Sequence, residues 1–162
     1  MYQGYKNIVQ NAINNFNNDD DCKELVLCDI SERNLCYKLA TFLEAELCKT
    51  EFSDYSVNVE YNRGMNGDLK QTKKLDNKPI SLDLNIVKIL PTPDNGFDNL
   101  ICIEMKKEKR PSVEIQDDKE RLNKLTDITK GYCYKAGFMI LACQNPASNQ
   151  FGLYIESEYT LH

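Results

Sequence analysis

The chain has 162 residues, of which 41% are hydrophobic and 28% are charged, and its formal net charge is −5. This composition is typical of one globular domain that encloses a hydrophobic core without cross-links. The negative net charge excludes a general attraction to phosphate, so any binding of nucleic acid must use a local basic patch or a bound cation.

Histidine and cysteine chemistry are restricted by the sequence. The sole histidine is His162, which excludes histidine triads and histidine-based zinc sites. The seven cysteines form no Cys-x-x-Cys pair and sit mostly among apolar residues, as expected for buried free thiols in a reducing compartment. Because no secretory signal and no apolar run of about 20 residues is present, we expect a cytoplasmic protein that does not enter a membrane.

Two amphipathic helices are predicted in the first 50 residues. Apolar residues recur at helical spacing from Tyr5 onward, which predicts a first helix that ends near Asn17. Residues 22–28 fit a helix or a strand equally well, and that segment stays open. Ser31 is a candidate N-cap for a second helix, which extends to about Lys49.

Glu32 begins this second helix and has two interpretations. It lies three residues before the apolar Leu35, which places it on the same inward face of the helix. A first-turn glutamate also complements the helix dipole without any further role. The sequence favours neither the structural carboxylate nor a carboxylate directed into a site.

Three strands and a long connection follow. Residues 57–61 alternate in polarity and predict a strand, and residues 80–90 predict a second strand that a turn at 91–96 ends. A third strand begins near Asn99 and is expected to be an antiparallel neighbour of the second. Residues 63–79 predict an exposed loop or hairpin arm, which carries lysines at positions 70, 73, 74 and 78. We interpret these lysines as solvated, and the alternative is that they contact phosphate.

The third strand begins as an apolar run and ends in Glu104-Met105-Lys106. Because strand side chains alternate between faces, Glu104 and Lys106 share one face and Met105 points to the other. Charges at the end of a buried run are costly unless they meet a metal, a substrate or a partner. Asp83 lies in the preceding strand and can share a sheet face with Glu104, although the sequence does not fix the register. The alternative is a solvated strand end that continues into the basic residues 107–110.

A further helix is predicted from Ser112, the candidate cap, to Gly131 near its C′ position. Asp118 falls on the inward side of this helix. Asp117 and Arg121 are four residues apart, which predicts a modest surface ion pair.

Two more strands complete the predicted order. Residues 136–142 form a continuous apolar run, which is typical of a strand buried on both faces, and residues 151–155 predict a last strand. The predicted order is therefore helix, helix, three strands, helix and two strands.

This order and these charged residues resemble the PD-(D/E)xK nuclease superfamily, and within it a branch of small bacterial proteins. The resemblance covers about residues 30–142 and depends on Asp83 followed by Glu104-Met105-Lys106, with Leu82 in place of the proline of the nominal motif. It implies an α/β fold with a restriction-endonuclease-like core, in which helices flank a central mixed β-sheet of about five strands. The expected domain spans residues 1–162, with an N-terminal helical extension (1–30), the core (31–143) and a C-terminal strand (144–162).

The resemblance implies hydrolysis of a phosphodiester bond with the help of Mg²⁺ or Mn²⁺. Asp83, Glu104 and the backbone carbonyl of Met105 would be the metal ligands, and Glu32 would hold a second metal ion or its water. Lys106 would orient or activate the attacking water and stabilise charge in the transition state.

Other residues are expected to support this site. Asp118 is interpreted as structural, and Glu60 with Arg63 either supports the site or forms an exposed pair. The expected phosphate-binding rim consists of Lys107, Lys109 and Arg110. The implied partner is nucleic acid, with DNA preferred, and a homodimer is compatible because nucleases that cut both strands often act as dimers. The alternative function is a catalytically inactive module of the same fold that binds nucleic acid or a protein partner.

Overall fold

The computed structural model describes residues 2–65, 68–90, 97–130, 132–145 and 150–162. Its helices are α1 (Tyr2–Asn18), α2 (Asp20–Leu27), α3 (Glu32–Leu47) and α4 (Ser112–Leu125). The long strands are β1 (Ser56–Tyr61), β6 (Leu82–Ile89), β7 (Phe97–Lys107), β8 (Ala136–Asn145) and β9 (Gln150–Thr160). The short strands are β2 (Arg63–Met65), β3 (Asp68–Thr72), β4 (Lys74–Leu75) and β5 (Lys78–Pro79).

The long strands form one five-stranded sheet in the order β1-β6-β7-β8-β9. Strands β1, β6 and β7 are antiparallel neighbours, and β9 is antiparallel to β8. Strand β8 is parallel to β7, since α4 carries the chain back to the other end of the sheet. The protein therefore has an α/β fold with a mixed five-stranded sheet flanked by helices, as the sequence predicts.

The sheet is buried on both faces. Ile103 and Met105 of β7 pack with α1 and α3, whereas Cys102 packs with Leu122 and Leu125 of α4. This alternation follows from the pleat of the strand and places Glu104 on the α4 side of the sheet. Strand β8 is buried throughout its apolar run, which confirms the predicted strand with two covered faces.

The first 50 residues contain the helices α1, α2 and α3, of whose N-caps the sequence predicted that of α3. The predicted first helix is confirmed as α1, and the open segment at residues 22–28 is helical up to Leu27, with Asp19 as the N-cap of α2. The Ser31 hydroxyl accepts a hydrogen bond from the Asn34 N–H (3.3 Å), which confirms the predicted cap of α3.

The predicted start of α4 is confirmed, but its predicted cap is wrong and the helix is shorter than predicted. The extended backbone of the N-cap belongs to Pro111, with ψ of 137°, so Ser112 is already the first helical residue and caps nothing. The helix ends at Leu125, where the Thr126 hydroxyl donates to the Leu122 carbonyl (3.1 Å) and satisfies part of the last turn. The predicted end at Gly131 lies outside the described residues.

The segment between β1 and β6 is not simply a solvated loop. It forms two short antiparallel ladders, β2–β3 and β4–β5, and Lys73 between them is only 1% exposed. The Lys73 N–H donates to the Asn62 carbonyl (2.7 Å), and the Ile80 N–H donates to the Lys73 carbonyl (2.9 Å). The interpretation of Lys73 as a solvated lysine is therefore wrong, whereas Lys74 and Lys78 are exposed.

The cysteines are free thiols, but not all are buried as expected. The buried ones are Cys22, Cys36, Cys102 and Cys143. Cys28 and Cys48 are exposed because they occupy the C-caps of α2 and α3, where the helices face solvent. Among the described helices, none is long and apolar enough to cross a membrane.

Gly152 joins α1 to β9 through a close contact. The Asn17 side chain pairs with the Leu153 backbone in both directions, with N···O distances of 2.8 Å, directly beside Gly152. Gly152 has φ of +145°, and a Cβ at this position would overlap the Asn17 carboxamide.

We expect Gly152→Ala to lower the free energy of unfolding by about 2 kcal/mol, because it combines backbone strain with loss of the Asn17 contact. Gly4→Ala is the matched control, since Gly4 lies in the first turn of α1 with no atom near the added methyl group, and it is expected to stabilise by about 0.5 kcal/mol. Urea unfolding of both variants measures this contrast. Equal effects of the two substitutions would contradict it.

Candidate functional site

Asp83 and Glu104 lie side by side on neighbouring strands. The antiparallel register pairs Leu84 with Ile103, so one step further along the ladder Asp83 faces Glu104. The Met105 N–H donates to Asp83 Oδ2 (2.8 Å), which fixes the aspartate against β7. Glu104 is 1% exposed and Asp83 is half-buried. The sequence placed these residues on adjacent strands, and the register now places them at one position of one face.

Burial and mutual repulsion disfavour two negative charges at this position. Burial, followed by the Asp83 charge, raises the pKa of Glu104 well above its ordinary value, against the opposing effect of Arg121. Burial also raises the pKa of Asp83, although the Met105 N–H and the Glu104 side chain oppose the increase. The pair therefore favours either a shared proton or a bound cation.

Lys106 lies beside these carboxylates and stays charged. Its Nζ is 3.1 Å from Asp118 Oδ2 and 3.9 Å from Glu32 Oε2. Burial opposes the charge of Lys106, but Asp118, Asp83 and Glu32 outweigh it and raise the pKa of the ammonium group above its ordinary value. A protonated lysine donates hydrogen bonds and stabilises negative charge, whereas it cannot accept a proton from water.

Arg121 belongs to the site, and the sequence-based prediction missed it. Its Nη1 is 2.7 Å from Glu104 Oε1, and its Nη2 is 3.0 Å from Asp118 Oδ1. The predicted surface pair with Asp117 is therefore wrong. Residues three apart also share a helix face, so the inward position of Asp118 was the signal that could have placed Arg121 here.

Glu32 faces the site and is already engaged. Its Oε1 accepts hydrogen bonds from the Lys107 N–H (3.1 Å) and from Arg110 Nε (3.1 Å). Its Oε2 lies near Lys106, at 3.9 Å. Of the two interpretations open in the sequence, the structure favours the inward carboxylate, which ties the start of α3 to the end of β7.

The expected phosphate-binding rim is paired within the chain. Lys107 Nζ contacts the Asp29 carboxylate (2.9 Å), and Lys109 Nζ donates to Gln144 Oε1 (3.1 Å). Arg110 is held by Glu32. Each rim cation would have to exchange its partner to bind phosphate, so the positive charge available there is smaller than expected from the sequence.

Glu60 lies level with Asp83 but does not reach it. Its neighbours in β1 pair with Leu84 and Leu82 of β6, and Glu60 itself has φ of +52°. Its carboxylate pairs with Arg33 (2.7 Å) and remains exposed. The structure does not describe the Arg63 side chain, so the pair of Arg63 with Glu60 stays a prediction.

The donor chemistry of Asp83 and Glu104 fits a magnesium or manganese ion. Carboxylate oxygens are hard donors, and Mg²⁺ is commonly held by one or two carboxylates together with water and substrate phosphates. Among the described residues, no group of three or more histidine, cysteine, aspartate or glutamate side chains forms a metal cage. The pair therefore fits an ion whose coordination is completed by other oxygen atoms, such as the Met105 carbonyl, water or phosphate.

A cavity of about 580 Å³ lies elsewhere, beside Asn17, Glu108, Cys143 and Tyr154. The described residues that line it include one carboxylate and no carboxylate pair. The cluster around Glu104 is the better candidate for a functional site, because it combines the buried ion pair with Arg121 and the adjacent carboxylates of Asp83 and Glu104.

Comparisons with protein-family models, with curated proteins and with solved structures returned no match.

Proposed function

We propose that the protein is a nuclease with a restriction-endonuclease-like fold that hydrolyses phosphodiester bonds with the help of Mg²⁺ or Mn²⁺. The observation that carries this proposal is the placement of Asp83 opposite Glu104 on paired strands, with Lys106 on the same face of β7 as Glu104. Two raised carboxylate pKa values beside a charged lysine favour cation binding over an inert ion pair.

The strand topology supports the fold part of the proposal. The elements α3, β1, β6, β7, α4 and β8 run as helix, three antiparallel strands, helix and a parallel strand. This is the order on which the resemblance to the PD-(D/E)xK superfamily depends. It brings the end of β7 next to both α3 and α4, which carry Glu32 and Asp118.

Each residue then has a chemical role. Asp83, Glu104 and the Met105 carbonyl would hold the cation, which would supply Lewis-acid activation of the phosphate and of the attacking water. Lys106, kept protonated by Asp118, donates hydrogen bonds that orient the attacking water and stabilise the developing negative charge. Glu32 accepts hydrogen bonds from the Lys107 N–H and Arg110 and lies 3.9 Å from Lys106, so its proposed role is to position Lys106 and the end of β7.

The charge distribution limits how nucleic acid binds. With a net charge of −5 and a paired rim, the bound cation is the main attraction for phosphate. We propose DNA as the substrate class. Cleavage of both strands of a duplex would require two active sites, which a homodimer would provide.

Cleavage of labelled nucleic acid tests the proposal. Single-stranded and double-stranded DNA and RNA are incubated with the full chain in Mg²⁺, in Mn²⁺ and in a chelator. We expect cleavage that requires the divalent ion. Binding of nucleic acid without cleavage would favour the inactive module, and the absence of both cleavage and metal binding would overturn the proposal.

Lys106→Met separates the chemistry from metal binding. We expect cleavage to fall by about 100-fold, because the charge that stabilises the transition state is lost. The affinity for Mn²⁺, measured by calorimetry, should be retained or increased, since a positive charge is removed beside the ligands. Lys78→Met, which alters an exposed lysine of β5, is the control. An unchanged cleavage rate in Lys106→Met would contradict the assigned role.

A further inference from the structure

Arg121 bridges two carboxylates that come from different elements. The Arg121 side chain extends from α4 and is 30% exposed, and its guanidinium group contacts both Glu104 of β7 and Asp118 of its own helix. Arginine presents several donors in a rigid plane, so one group can hold two carboxylates at once.

The contact with Arg121 compensates the buried charge of Glu104. Its carboxylate is 1% exposed and lies beside Asp83, so ionisation leaves a buried negative charge next to another. Removing the partner of such a group is costly, because the charge is then uncompensated in a poorly solvated place. Among the described side chains, the cation that pairs with Glu104 is Arg121.

A divalent ion bound by Asp83 and Glu104 would compensate the charge of Glu104 in place of Arg121. The metal ion and the guanidinium group would both bind the Glu104 carboxylate, and two cations on one carboxylate repel each other. Asp118 remains as a second anchor for Arg121, so the arginine can release Glu104 without leaving the protein.

We propose that Arg121 is an internal counter-cation for Glu104 that a divalent metal ion displaces. This inference rests on the proposed metal-dependent function and adds a competitor to it. In the metal-free protein Arg121 compensates the acidic pair and stabilises the fold. Binding of the metal ion then requires Arg121 to leave Glu104. The apparent metal affinity is therefore lower than that of the two carboxylates without the arginine.

Calorimetric titration of the full chain with Mn²⁺ alone tests this exchange, at mildly alkaline pH so that protons do not compete. We expect Arg121→Gln to bind Mn²⁺ about tenfold more tightly than the wild type, which is the effect of removing one charge-assisted contact to Glu104. Arg121→Lys keeps the charge but not the two-armed geometry, so its affinity should lie between the two.

Lys124→Gln is the matched control, because it removes one positive charge from the same helix, where Lys124 pairs with the exposed Asp76 (2.6 Å). Its Mn²⁺ affinity should stay within about twofold of the wild type, as expected for a surface pair. Equal or weaker Mn²⁺ binding by Arg121→Gln would overturn the proposal and would show instead that the arginine holds Glu104 in position for the metal.

A second measurement uses the wild-type chain and does not depend on the folding of a variant. Nuclear magnetic resonance of arginine side chains, assigned with Arg121→Lys, follows the guanidinium group during titration with Mg²⁺. We expect Mg²⁺ to increase the rotation and solvent exchange of this group, and an unchanged signal at saturation would overturn the exchange. If the wild type binds neither ion, the proposed function itself fails; if it binds them without the effects at Arg121, only this inference fails.

Discussion

Replacing Glu104 with glutamine is expected to lower Mg²⁺-dependent cleavage by about a thousandfold. Glutamine keeps the shape of the side chain but removes one of the two negative charges that would hold the ion. Arg121 keeps its contact with Asp118 in this variant, so α4 should remain packed against the sheet.

Thermal unfolding gives a readout of Glu104→Gln that does not depend on activity. An ion that binds only the folded state raises the melting temperature, so Mg²⁺ should stabilise the wild type and have little effect on the variant. Glu120→Gln is the control, because Glu120 is an exposed residue of α4 and the charge change is the same. Full cleavage, or a full Mg²⁺-dependent stabilisation, in Glu104→Gln would contradict the assignment of Glu104 as a ligand.

Replacing Lys73 with methionine is expected to stabilise the fold at neutral pH. Lys73 is 1% exposed, and its Nζ donates to the Tyr134 hydroxyl group (2.6 Å), which also accepts a hydrogen bond from Asn85. The Tyr61 and Tyr134 rings lie 5.3 Å and 5.2 Å from the ammonium group. No carboxylate pairs with Lys73 among the described residues, so its charge is buried without a full counter-charge.

Burial lowers the pKa of Lys73 from its ordinary value of 10.5 to about 8. Between these two pH values the unfolded chain binds more protons at this position than the folded chain, so the free energy of unfolding rises with pH. The full difference corresponds to about 3 kcal/mol. The cost of the buried charge is therefore fully present below pH 8 and is lost as the pH approaches 10.5.

Denaturant unfolding of the wild type and of Lys73→Met across this pH range measures the effect. The stability advantage of the variant should be largest below pH 8 and should decrease by about 3 kcal/mol by pH 10.5. Lys78→Met, in the same segment but exposed, should show no such dependence. An advantage that stays constant with pH would mean that Lys73 titrates normally in the folded protein.

The local patterns of the sequence were sufficient for much of the fold. Helical spacing and the Ser31 cap predicted α1 and α3, and the alternation along β7 predicted that Glu104 and Met105 face opposite sides. These features are set by neighbouring residues, since a cap or a pleat depends on the chain within a few positions. The apolar run at residues 136–142 predicted β8 for the same reason.

Features that depend on distant partners were not predictable. The burial of Lys73 follows from contact with Tyr134, which lies 61 positions later in the chain. Arg121 looked like half of a surface pair, because only the tertiary fold reveals the buried Glu104 that attracts it. The register of β6 against β7, which brings Asp83 to Glu104, likewise depends on how whole strands align.

The connection between β7 and β8 has a consequence for the order in which the protein folds. Asp83 and Glu104 meet through the pairing of β6 with β7, which are consecutive strands of the sheet, whereas Asp118 and Arg121 arrive with the long crossover helix α4. The Arg121–Glu104 contact spans 17 positions of the chain and the Asp83–Met105 contact spans 22, so the two loop closures carry nearly equal entropic costs. We therefore expect α4 to dock together with the pairing of β6 and β7, so that the arginine compensates the two carboxylates in the step that brings them together.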